Sequence, residues 1–165
     1  MPRTLILIKD LVKGNQVLKM HIRVVDMWVV KGKNGSQHLE LVLQNGMSDQ
    51  IHVTSRSQDF KDLIEQLKEH ETYYIYNGEF VLNDGPFKVC SNQLKLVFNS
   101  GNTVTNVAIS EIPAHIQLSL YLKLSQWTFK PDILYDVIGV LQDVVKTQIG
   151  GGGKKSCVNI TLRDI

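Results

Sequence analysis

Between residues 18 and 98 the spacing of apolar side chains changes in a fixed order: three stretches of strand character, one of helical character, then two more of strand character. Side chains repeat every two residues along a strand and every 3.6 along a helix, so the segment reads as three strands, one helix and two strands. That order constrains the chain to a small five-stranded Greek-key barrel, with the helix between the third and fourth strands closing its bottom. An open face and two loops are then left to carry function.

Residues 17–30 are rich in Val, Ile and Met and too long for one straight strand, which predicts a coiled first strand bent around the barrel. Trp28, near its end, reads as a core residue. Lys31-Gly32-Lys33-Asn34-Gly35-Ser36 breaks the run, and Asn-Gly is a strong hairpin signal. In the second strand Leu39, Leu41 and Leu43 alternate inward, leaving His38, Glu40 and Val42 on the other face. After a turn at Gln44-Asn45-Gly46, Ile51 and Val53 point inward and Gln50, His52, Thr54 and Arg56 share the outer face. On residue type alone His38 and His52 read as plain exposed strand residues. Ser57 is placed to cap a helix whose buried stripe is Phe60, Leu63, Ile64 and Leu67, ending near Glu71. Tyr73-Tyr74-Ile75-Tyr76 resumes strand character, Asn83-Asp84-Gly85-Pro86 turns, and Phe87-Lys88-Val89-Cys90 leads into a last strand over 94–98.

This plan, all-β with one closing helix, is that of the oligonucleotide-binding (OB) barrel. Residues 100–130, with polar side chains, Gly101 and Pro113, suggest a linker, although 115–124 is apolar enough to pack on the barrel. A new strand opens at Asp132, and residues 157–162 alternate again after Gly150–Gly153 and two lysines. This ending repeats the opening of the first unit, and two strands cannot close a barrel. The expected organisation is an OB-fold nucleic-acid-binding domain over 1–110, a linker over 111–130 and, over 131–165, the start of a second OB fold in which the chain is truncated.

Hydrophobic residues make up 43% of the 165 and charged ones 21%, as in chains with a true core. The net charge of +2 excludes a polycation that clings to nucleic acid through charge alone. Its distribution is uneven: residues 56–71 hold five acidic and three basic side chains, while the rest of 1–110 holds nine basic and six acidic. No apolar run reaches the roughly 18 residues of a membrane span, and residues 5–8 are too short for a secretory leader, so an intracellular protein without a membrane partner is expected. Cys90 and Cys157, 67 positions apart, form neither a disulfide framework nor a zinc spacing. Catalytic motifs are lacking, and the five histidines (His21, His38, His52, His70, His115) have no metal-ligand spacing. Gly150–Ser156 departs from a phosphate loop because Lys155 separates Lys154 from Ser156 and a strand follows. The expectation is a non-enzyme with no cofactor, no metal and no small-molecule substrate.

Several segments together resemble the large subunit of replication protein A, especially its plant-type relatives with tandem OB domains. They are Gly35-Ser36-Gln37-His38-Leu39-Glu40-Leu41-Val42-Leu43, Ile51-His52-Val53-Thr54, Tyr73-Tyr74-Ile75-Tyr76-Asn77-Gly78, Phe87-Lys88-Val89, the strand over 94–98 with Asn99, and Asp136-Val137-Ile138-Gly139-Val140. The resemblance implies single-stranded DNA binding in replication, recombination or repair, in the nucleus, with other replication protein A subunits as further partners. It places a stacking aromatic at Phe87, and the family's other stacking aromatic falls at Arg56, whose guanidinium can stack on a base and meet a phosphate. Lys31, Lys33, Lys88 and His52 complete the implied nucleic-acid site. Whether the strand is DNA or RNA stays open. So do two other readings: an OB module that binds a protein, and a truncated fragment without activity.

Overall fold

The computed structural model describes residues 3–32, 34–55, 60–86, 88–107, 112, 139–148 and 157–163. The chain divides into two compact units, one carrying a barrel and the other a hairpin.

The barrel is built from β1 (Gly14–Lys31), β2 (Gln37–Gln44), β3 (Gln50–Ser55), β4 (Thr72–Leu82) and β5 (Leu94–Phe98), with α1 (Phe60–Gln66) between β3 and β4. Antiparallel β1–β2 and β2–β3 ladders continue through a parallel β3–β5 pair to antiparallel β5–β4, and β4 returns to β1 to close the ring. β1 serves two neighbours because it is long: Gly14 to Arg23 pairs with β4, and Arg23 to Lys31 with β2. A sixth strand, β6 (Thr103–Asn106), pairs with β4 outside the ring. It lies within the polar stretch that reads as a linker; four mostly exposed residues carry almost no apolar signal.

Leu18, Met20, Ile22 and Val24 fill the barrel from β1, Leu39, Leu41 and Leu43 from β2, and Ile51 and Val53 from β3, as alternation requires. Tyr73, Ile75, Phe80, Leu96 and Phe98 complete the wall, and Ile8 and Leu11 pack on the same cluster. Gly78 is required by close approach: a Cβ there would lie 2.6 Å from the Phe80 ring.

The register of β1 shifts at two places, against β4 between Gln16 and Lys19 and against β2 beyond Val24. The β1–β2 register shifts between Val24 and Asp26, so one extra residue enters β1 there. Even-numbered residues point inward before the shift; beyond it Met27 pairs with Leu41 and packs against the core. The Met27 N–H donates to Asp26 Oδ1 at 2.8 Å and Glu69 Oε1 at 3.1 Å, so the irregularity leaves no orphan donor there.

α1 is shorter than its apolar spacing suggests. Leu63 and Leu67 are buried, but Ile64 is 38% exposed and does not belong to the stripe. After the helix the chain is captured by β1: the His70 N–H donates to the Val24 carbonyl at 2.8 Å, and the Val24 N–H to the Glu71 carbonyl at 3.0 Å. The Tyr73 hydroxyl donates to Glu71 Oε2 at 2.9 Å and accepts from the Lys68 N–H at 3.0 Å, while Asn106 Nδ2 donates to the same Glu71 oxygen at 2.8 Å. That network ties the helix end, β4 and β6 together, and burial raises the Tyr73 phenol above its usual range, with Glu71 adding to the effect. Ser57 and the Phe60 side chain lie outside the described residues.

In the second unit β7 (Val140–Gln148) pairs antiparallel with β8 (Cys157–Arg163). The alternating stretch at 157–162 is thus a strand. Val140, Leu141, Val144, Val145, Val158 and Ile160 are each about half exposed or more. The strand start at Asp132, the Gly150–Ser156 loop and the 111–130 linker, apart from Ile112, lie outside the described residues.

Candidate nucleic-acid interface

The outer face of β1, β2, β3 and β5 presents side chains in rows set by the strand register. One row is Trp28, Glu40, Thr54 and Val97; the next is Asp26, Val42, His52 and Lys95. His38, opposite Val30, begins a third. The face carrying His38 therefore continues into the face carrying His52, as the alternation predicts.

Trp28 is not a core residue. The register shift after Val24 turns it outward, where it is half-buried and lies nearly parallel to the His52 ring, with centroids 6.2 Å apart and planes 10° apart. His52 is not a plain exposed strand residue: it is only 9% exposed, and Val42 beside it 7%. These two form a floor, with Trp28 above and the Glu40 carboxylate at its centre. Glu40 Oε1 is 3.2 Å from His38 Nε2, and Oε2 is 3.6 Å from His52 Nε2, beyond direct hydrogen-bond distance. The Glu40 carboxyl is held below the usual carboxylate range by His52 first, with burial pushing the other way and His38 adding to the depression. The face thus keeps one ionised carboxylate between two imidazoles.

Two connections border it. At one end, Lys31 is exposed at the last position of β1, opposite Gln37. The turn beyond is closed by the Gly32 N–H donating to the Ser36 carbonyl at 2.8 Å and by Asn34 Oδ1 accepting from the Ser36 hydroxyl at 2.6 Å. On the other side, residues 83–93 join β4 to β5 and are pinned against β3. Asn92 Nδ2 donates to the Gln50 carbonyl at 3.2 Å, Asn83 Nδ2 to the Asn92 carbonyl at 3.2 Å, and the Asn83 N–H to the Gln93 carbonyl at 2.8 Å. Cys90 is buried there, and burial pushes its thiol up. Half-buried Lys88 lies two positions earlier in the same connection.

Of the residues implicated by sequence, His52 lies in the floor, Lys31 at the loop end and Lys88 in the bordering connection. Arg56, Lys33 and Phe87 lie outside the described residues. Trp28 was hidden from sequence reasoning by an irregularity that leaves no mark in residue type. Glu40 and His38 were placed on the correct face by alternation, but their pairing with His52 needs the register between β2 and β3. Among the described residues no cluster of His, Cys, Asp or Glu could hold a metal ion, and no helix is long and apolar enough to cross a membrane.

A closed five-stranded Greek-key barrel, parallel where β3 meets β5 and with its helix between β3 and β4, defines an OB fold. The chain belongs to the family described as Domain of unknown function DUF223, whose model matches residues 9–121. Comparison with curated proteins finds no match. Among solved structures the chain is similar to one in a replication protein A heterotrimer bound to ssDNA, with a TM-score of 0.59 and 15% identity, covering 95% of this chain and 38% of that one. This chain therefore spans well under half the length of that relative. An OB domain from Methanosarcina mazei matches with a TM-score of 0.47 and 19% identity over 71% of this chain and 97% of that one. The Schizosaccharomyces pombe Pot1pC bound to ssDNA matches at 0.44 and 9% over 64% and 87%. At such identities the first likeness shows the fold alone, and the other two, with TM-scores below 0.5, carry no argument.

Proposed function

We propose that this barrel binds single-stranded DNA across the outer face of β2 and β3, between the loop over 32–36 and the connection over 83–93. The observation that carries the reading is the Trp28–His52 stack on the floor of that open face. A half-buried indole at the surface is a sequence-tolerant platform for a base, and each such stack contributes about 1–3 kcal/mol. Bases turned toward the floor also meet Glu40, which can accept from an exocyclic amine. Phosphates then face outward, toward Lys31 and Lys88, and the resemblance to replication protein A adds Lys33 and Arg56 as phosphate contacts and Phe87 as the second stacking group. The similarity of the quoted segments to replication protein A supports a non-enzymatic role in replication, recombination or repair, in the nucleus, beside other subunits of that type. RNA is the alternative strand.

The ionised Glu40 favours a second reading, in which the same face takes a basic protein segment. Fluorescence anisotropy of a labelled oligothymidine of about 16 nucleotides, enough to fill one OB groove, separates the two. Under the first reading the full chain binds it, resists matching duplex and weakens steeply as salt rises, because phosphate contacts release counterions. Failure to bind at low salt would refute it.

A further inference from the structure

The opposite flank of β1 carries a second array that the proposed groove does not use: Lys19, His21, Tyr74 and Tyr76 are half-buried, and Arg3, Thr103 and Thr105 are exposed. Register places Lys19, Tyr76 and Thr103 in one row across β1, β4 and β6, and His21, Tyr74 and Thr105 in the next. Lys19 Nζ sits 3.6 Å from the Tyr74 ring centroid and 5.8 Å from that of Tyr76. Arg3 Cζ lies 5.5 Å from the Tyr76 centroid. The Arg3 segment is fixed alongside, since the Ile6 N–H donates to the Lys19 carbonyl at 2.9 Å. His21 tilts against Tyr74 at 4.9 Å, and the two tyrosine rings are 6.5 Å apart.

Among the described residues the cations of this array have no carboxylate partner: the ion pairs are those of His38 and His52 with Glu40, and neither Arg3 nor Lys19 has a carboxylate within 4.0 Å. Strand surfaces ordinarily set opposite charges across from one another. Here cations are set over tyrosine faces, with hydroxyls in the adjoining strand. A ring occupies one side of an ammonium or guanidinium and leaves N–H donors for an anion. The cavities beside Arg23 and beside Asn77 lie off these rows. A surface of cations and aromatic rings suits a polyanion with stackable rings, which can meet both kinds of side chain at once.

We infer that the β1–β4–β6 face is a second single-stranded nucleic-acid platform, with Arg3 and Lys19 meeting phosphates and Tyr74 and Tyr76 lying against bases. It rests on its own geometry rather than on the groove. The test uses the full chain, labelled oligothymidines of about 8 and about 30 nucleotides, and two sets of variants: Trp28→Ala for the groove, and Lys19→Glu or Tyr76→Ala for the platform. Thermal unfolding checks that each variant is folded, and Tyr76→Phe serves as the conservative control. The platform variants are expected to weaken the longer strand about tenfold and flatten its salt dependence, Tyr76→Phe much less. Trp28→Ala is expected to leave residual binding that Lys19→Glu then removes. Lys19→Glu and Tyr76→Ala with unchanged affinity and salt slope, in both the parent and the Trp28→Ala background, would overturn the platform and leave the groove standing. Loss through Lys19→Glu with no effect of Trp28→Ala would do the reverse. An array answering only to an acidic peptide would show as peptide binding without any strand binding, and would also overturn the inference.

Discussion

The two outer faces of the barrel are built on the same strand, yet they differ in how their aromatic rings are partnered. On the β2–β3 face an indole lies over an imidazole beside a carboxylate; on the β1–β4–β6 face tyrosines lie under a lysine and an arginine, with no carboxylate within 4.0 Å of either cation among the described residues. An aromatic ring on an outer face is therefore not by itself a binding signal, because the charge next to it decides what can approach. The difference originates in β1: its first half presents Lys19 and His21 to β4, and the shift after Val24 presents Trp28 to β2.

The largest effect should come from beneath both faces. Leu41→Ala empties a fully buried position and is expected to cost about 2–5 kcal/mol in urea unfolding, weakening both faces together. A variant that lost one face only would show the two to be structurally independent. Next, Trp28→Ala should weaken oligothymidine binding roughly tenfold or more while leaving the Lys19 face intact. Phe87→Ala provides the parallel test of the bordering connection, and a variant that binds like its parent would remove Phe87 from the site.

Glu40→Gln should have the smallest effect, and it probes the charge contrast directly. Removing one negative charge from the groove floor is expected to tighten oligothymidine by up to about fivefold, corresponding to about 1 kcal/mol for two charges 4 Å apart in water. It should also change acid stability. The folded Glu40 carboxyl is depressed, so its ionised form contributes stability above the ordinary carboxylate range, and that contribution is lost as pH falls through the lower folded value. The parent is therefore expected to exceed Glu40→Gln by about 0.5 kcal/mol at pH 7 and to match it near pH 3, by urea unfolding at each pH. A difference that persisted in acid would mean that the side chain acts through packing rather than charge.

Much of the barrel was legible because period-two alternation survives wherever one strand face is buried and the other is not. Leu39, Leu41, Leu43, Ile51 and Val53 show it without interruption, and they assign His38, Glu40 and His52 to one face before any fold is drawn. The end of the helix was less legible. Leu63 and Leu67 are buried, yet the stop after Gln66 is associated with hydrogen bonds that His70 and Glu71 exchange with Val24 of β1, far away in sequence. β6 was not legible at all, since Thr103–Asn106 gains its strand character from the open edge of β4.

The sequence by itself determined the number and order of the barrel's strands, the core-facing leucines and the loops that border the face, because each follows from local periodicity and turn chemistry. Only the tertiary structure decided which way Trp28 points, that Glu40 lies between two histidines, and that Lys19 and Arg3 meet tyrosines from another strand. Those outcomes depend on register, and register is set by pairing between residues distant in the chain, where one extra residue reverses every side chain that follows.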